Sequence, residues 1–189
     1  MDVFEAFSQS RQEFETRLRQ VGDDQWDLPT PCPDWSVRDL VNHMLLGTRM
    51  SVQLLAGASR DEVLAGLNDD LVTDDPVGDF VALADQMEAG FAAPGGLEGT
   101  VNHPMGEIPR QMFLGFRMTD NAVHGWDLAR AIGVDDQFDE TLAEQMWENA
   151  KPNAAMLAGS GVFGDGASGD VDEGASNQAK LLDALGRRP

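Results

Sequence analysis

Cysteine, basic residues and long apolar runs are all scarce in this sequence, and each shortage closes something off. Cys32 is the one cysteine, so no disulfide can form within the chain, which fits a reducing compartment. Lys and Arg together number 13 against 33 Asp and Glu, a formal net charge of −20. So negative a surface repels nucleic-acid backbones and anionic membranes alike, and neither is expected as a partner. The acid is spread along the chain, which suits a solvated face that favours solubility. No apolar run approaches the roughly 18 residues that span a bilayer. The opening Met-Asp-Val-Phe-Glu lacks the positive region of a signal peptide. A cytoplasmic protein is expected. Internal repeats and a Gly-rich phosphate loop are also missing.

What is present suits one domain. The chain has 189 residues, 42% of them apolar, and a domain of that size hides roughly 70% of the surface its unfolded form exposes. Phe4, Phe7, Phe14, Leu18 and Val21 form the stripe of an amphipathic helix over residues 2–21. Pro29, Pro31 and Pro33 then forbid helix. Ser36 and Asp39 resemble a capping box, and Val37, Leu40, Val41, Met44, Leu45, Val52 and Leu55 mark a second long helix that fades at Gly57. Residues 58–75 hold a short helix and an acidic turn. A third long helix is expected over 77–92, on Phe80, Leu83, Ala84, Met87 and Phe91, stopped by Pro94-Gly95-Gly96. Residues 97–109 read as a loop or short hairpin. The fourth long helix runs from about Arg110 to Ile132 and ends at Gly133. A further helix covers 139–150. Residues 159–179, rich in Gly, Asp and Ser, are expected to loop over the surface, and a last helix from Gln178 to Leu185 docks Leu181, Leu182 and Leu185. Four long helices joined in this way give an all-α bundle, with residues 159–189 as a wrapping tail of a single domain 1–189.

The chemistry gathers around three histidines, His43, His103 and His124. Asp120 precedes His124 by one helical turn, so the two side chains share a face with Cβ atoms about 5–6 Å apart, a gap that one small cation can bridge. With His43 on another helix they would make a three-point metal platform with an open position. A His and a carboxylate at this spacing also occur as an ordinary charge pair, and the spacing alone leaves both open.

Two stretches, Trp35-Ser-Val-Arg-Asp-Leu-Val-Asn-His43 and Val123-His-Gly-Trp-Asp-Leu-Ala-Arg-Ala131, resemble signatures of the DinB/YfiT-like superfamily. More narrowly, they resemble its branch related to the N-terminal domain of mycothiol-dependent maleylpyruvate isomerase. The closing Leu181-Leu-Asp-Ala-Leu-Gly-Arg-Arg-Pro189 is similar to the end of short members of that branch. The resemblance implies a four-helix bundle with a divalent metal at one end, usually zinc and sometimes nickel. It places His43 and His124 at the family's two histidine ligands. Asp120 stands where many relatives carry Glu, so the shorter side chain requires a closer helix or a bridging water. His103 lies in the segment that leads into the metal-bearing helix. It can line the pocket as an acid–base group, the alternative being an exposed loop histidine. Asp127, one turn beyond His124, can orient a ligand or pair with Arg130 or Arg38, or serve as a structural hydrogen-bonding residue. Trp35 and Trp126 suit packing. Cys32 lacks any partner near it in sequence that would lower its pKa, and it is read as incidental.

The function implied is a metal-dependent enzyme on a small molecule. The metal would activate a thiol or water, with a low-molecular-weight thiol such as mycothiol as cosubstrate. The isomerase has a second, C-terminal domain for which the residues after this bundle leave too little chain, so isomerisation is one option beside thiol transfer. The alternatives are a non-catalytic helical binding module, whose apolar faces could pair in a homodimer, and a relative that has lost its metal.

Overall fold

Phe7, Phe14 and Leu18 recur at helical spacing and lie buried on the inward face of α1 (Val3–Leu18). The same logic builds α2 (Val37–Leu55) on Leu40, Val41, Met44 and Leu45, and α4 (Pro76–Ala92) on Phe80, Ala84, Met87 and Phe91. A one-and-a-half-turn α3 (Arg60–Ala65) lies between them, capped by Ser59. A hairpin of β1 (Thr100–His103) and β2 (Gly106–Pro109), paired antiparallel with His103 opposite Gly106, leads straight into the long α5 (Arg110–Ile132). The computed structural model describes residues 1–154 and 166–189, so positions 159–165 of the expected tail lie outside the described residues.

The long helices start and stop for visible reasons. The Ser36 hydroxyl accepts from Asp39 N, while the Asp39 carboxylate accepts from Ser36 N at 2.9 Å, the reciprocal box that the sequence suggests. Hydrogen bonds from the Ser36 hydroxyl, at 2.6 Å, and then from its N–H hold the Asp39 carboxyl below the usual carboxylate range. α5 ends on Gly133, whose φ of 75° is the left-handed conformation glycine adopts without penalty.

Packing divides the chain into two compact units, Val3–Val134 and Asp135–Pro189 with Met1–Asp2. In the first, α1 packs on α4 and α5, and α2 packs on the same two helices, which closes an all-α four-helix bundle. Phe14 meets Phe80 at 4.8 Å between ring centroids, and Phe7 meets Phe91 edge-on at 5.5 Å. The second unit pairs α6 (Glu140–Ala150) with α7 (Asn177–Ala184). There Gln178 ties α7 to the segment leading into α6 by accepting from Phe138 N and donating to the Asp136 carbonyl, and Leu181, Leu182 and Leu185 are buried. No described helix is long and apolar enough to cross a membrane.

Candidate functional site

The prolines that forbid helix before α2 build the floor of the site. Residues 29–36 close on themselves: Pro29 and Ser36 form an antiparallel bridge, and Thr30 N donates to the Trp35 carbonyl at 2.9 Å. Asp34 takes a φ of 65°, the only positive φ among the described non-glycine residues. The turn tucks Cys32 inward and lays Trp35 across the start of α2.

Above this floor two helices bring the histidines together. His43 on α2 and His124 on α5 stand with ring centroids 4.9 Å apart and planes at 71°, and Trp35 lies 4.9 Å from His43 and 5.9 Å from His124. His43 and Trp35 are half-buried, so part of the pair is open to water, while His124 is buried.

Asp127 fixes the orientation of His124. Its carboxylate has no exposed surface and lies 3.0 Å from His124 Nδ1 and 3.2 Å from the Cys32 thiol. A carboxylate only accepts, so the imidazole carries its proton on Nδ1 and keeps the Nε2 lone pair available. This pattern of carboxylate, histidine and free Nε2 is the one that supports metal-bound imidazoles. Cys32, read from sequence as incidental, lies in contact with Asp127 and close to His124. Its sulfur is 3.8 Å from His124 Nδ1, and one donor atom each from Cys32, His124 and Asp127 fall within 4.8 Å of one another.

Asp120 is engaged differently. Its Oδ2 accepts from Arg117 Nη1 at 2.6 Å, one turn from the imidazoles. One oxygen is thus held by a charge-assisted hydrogen bond. Cys32, His124 and Asp127, whose donor atoms the structure gathers, are a thiol, an imidazole and a carboxylate, a set that fits a borderline divalent cation.

His103 sits on the hairpin, half-buried, its ring 5.7 Å from Phe113 and 6.1 Å from Phe116 at the start of α5. Its Nδ1 accepts from Met105 N at 3.2 Å, which leaves Nε2 to carry the ring proton. Burial, then the positive charge of Arg117, hold its pKa below that of an ordinary histidine, with Asp120 acting the other way. Trp126 is buried in the packing of α5, with Arg130 over its ring at 5.4 Å.

Residues 7–129 match the family described as the mycothiol maleylpyruvate isomerase N-terminal domain. Uncharacterized proteins of two strains of Mycobacterium tuberculosis, CDC 1551 / Oshkosh and H37Rv, are each 34% identical over 147 residues, which is 76% of this chain and 74% of theirs. The crystal structure of the mycothiol-dependent maleylpyruvate isomerase shares the fold with a TM-score of 0.59 at 13% identity, over 84% of this chain and 70% of that one. A histidine-to-alanine mutant of that isomerase gives a TM-score of 0.60.

Proposed function

Because the chain belongs to the family of the mycothiol maleylpyruvate isomerase N-terminal domain, we propose that it is a metal-dependent enzyme that activates a small thiol or water for transfer or isomerisation on a small molecule. The observation that carries this reading is the histidine pair: two imidazoles from different helices, 4.9 Å apart, one of them half-buried and the other oriented by a buried carboxylate. His43, His124 and Asp120 would hold a divalent cation, zinc in the first place and nickel in the second. Such a cation lowers the pKa of a thiol or water in its open position and makes it a nucleophile at neutral pH. A low-molecular-weight thiol, mycothiol by the name of the relatives, is the cosubstrate proposed.

The chain's own residues have separable tasks. Asp127 fixes the His124 ring and its tautomer, and Arg117 fixes Asp120. Trp35 shields the ring pair on one side. His103, neutral near pH 7 because its pKa is lowered, would serve as the acid–base group. A cytoplasmic location suits the single cysteine.

The distances themselves favour another ligand set, Cys32, His124 and Asp127. It engages His124 through Nδ1 instead of Nε2, so variants separate the two. Elemental analysis of untagged protein is expected to find near-stoichiometric zinc or nickel, lost in His43→Ala and His124→Ala and kept in Cys32→Ser. Loss in Cys32→Ser with retention in His43→Ala would move the metal to the Nδ1 side. A wild type that takes up neither metal would leave a helical binding module without turnover.

A further inference from the structure

Arg117 is buried, charged and only partly used. Its side chain is 3% exposed. Nη1 donates to Asp120, whereas Nε and Nη2 meet no acceptor among the described residues. These two nitrogens share one edge of the planar guanidinium, with their N–H bonds nearly parallel. That edge is the one that grips both oxygens of a carboxylate. Buried polar groups in native proteins are nearly always hydrogen-bonded, and a cation is the group least readily left unserved. A buried donor edge that the described residues leave unserved therefore marks a place for an acceptor from elsewhere.

Its position ties this edge to the site. Gly47 stands one turn after His43 on α2, and a Cβ built there would meet Arg117 Nη1 at 2.6 Å and both Cζ and Nη2 at 3.2 Å. The guanidinium thus lies against bare α2 backbone, in space that any other residue at 47 would fill. Asp120 stands one turn before His124 on α5. The guanidinium accordingly occupies the layer next to the paired imidazoles, about 5.4 Å along the helix axes. Arg117 also acts on His103 through its charge, so the layer joins the hairpin histidine to the ring pair.

We propose that Arg117 is the carboxylate receptor of the site: its Nε–Nη2 edge binds both oxygens of a small carboxylate ligand while Nη1 keeps Asp120 in place. A planar edge with two parallel donors matches a planar two-oxygen group, and a lysine would supply charge without that match. The inference rests on the metal reading only for where the rest of the ligand points, towards the imidazoles; the receptor edge needs no metal. Asn121 Oδ1, one turn further along α5, is a buried acceptor also without a donor among the described residues, and a water held between the two groups is the competing occupant.

Titration of metal-free protein with succinate tests the proposal, with succinamide as the neutral control of similar shape. The side-chain Nε–H signal of Arg117, assigned through its own carbons in labelled protein, is expected to shift saturably with succinate and not with succinamide. In Arg117→Lys, binding measured by calorimetry is expected to weaken about tenfold or more, since the charge stays and the fork is lost. Circular dichroism checks the fold of that variant, and the wild-type shift decides the matter should the variant not fold. No succinate-dependent shift, an equal shift with succinamide, unchanged affinity in Arg117→Lys, or contact with an ordered water alone would each overturn the assignment. Because no metal is present, these outcomes stand apart from any failure to take up zinc or nickel.

Discussion

Asp127 has no exposed surface and accepts from the His124 imidazole and the Cys32 thiol. Replacing it with Asn keeps the shape and removes the charge that makes His124 a better electron donor. Asp127→Asn is expected to lower zinc affinity about 10- to 100-fold, the usual effect of losing a carboxylate behind a histidine ligand. Competition with a chromophoric chelator measures it, and unchanged affinity would count against His124 Nε2 as a ligand. His103 carries a different signature. Its folded pKa lies below the value of about 6.5 that it has in the unfolded chain. Between the two values the unfolded state binds a proton that the native state refuses. Stability is therefore lost as pH falls through this window, and the loss is complete below the folded pKa. Urea midpoints at about pH 7.5 and pH 5 are expected to drop in the wild type and to drop less in His103→Asn.

Along the elements, Gly47 is where α2 lets α5 come close. Alanine there would gain roughly 1 kcal/mol of helix propensity, but its Cβ would press on the Arg117 guanidinium at 2.6 Å. We expect Gly47→Ala to cost about 1–3 kcal/mol net, and to be neutral or stabilising in an Arg117→Met background, which urea unfolding of the four proteins resolves. The helices themselves were largely legible from the chain, because their causes are local. The Ser36–Asp39 box lies within four residues, Gly133 directly follows the helix it ends, and the apolar stripes repeat every turn. The site was legible only in part. The likeness of two motifs marks His43 and His124, but the place of Cys32 depends on contacts 92 and 95 residues away along the chain. No periodicity carries that information. The fate of Asp120 is a question of side-chain direction. Spacing puts His124 four residues after it and Arg117 three before, and both lie within reach. In the structure its Oδ2 goes to Arg117.

For the molecule as a whole, charge is the dominant condition. A net −20 on 189 residues opposes compaction through self-repulsion. Ion pairs such as Arg38–Asp70 lie at the surface, where each contributes little. Raising salt from about 10 mM to about 500 mM, which shortens the screening length several-fold, should therefore raise Tm. A falling Tm, read by calorimetry, would mean that attractive pairs outweigh the repulsion. The turn that seats Cys32 has a kinetic consequence of its own. With Cys32 8% exposed inside a turn closed by a bridge between Pro29 and Ser36, an alkylating reagent attacks the thiol mainly when that turn lifts. The half-time of labelling is then a clock for the breathing of the floor beneath His124. Slower labelling on adding zinc would show that filling the site stills the ground it stands on.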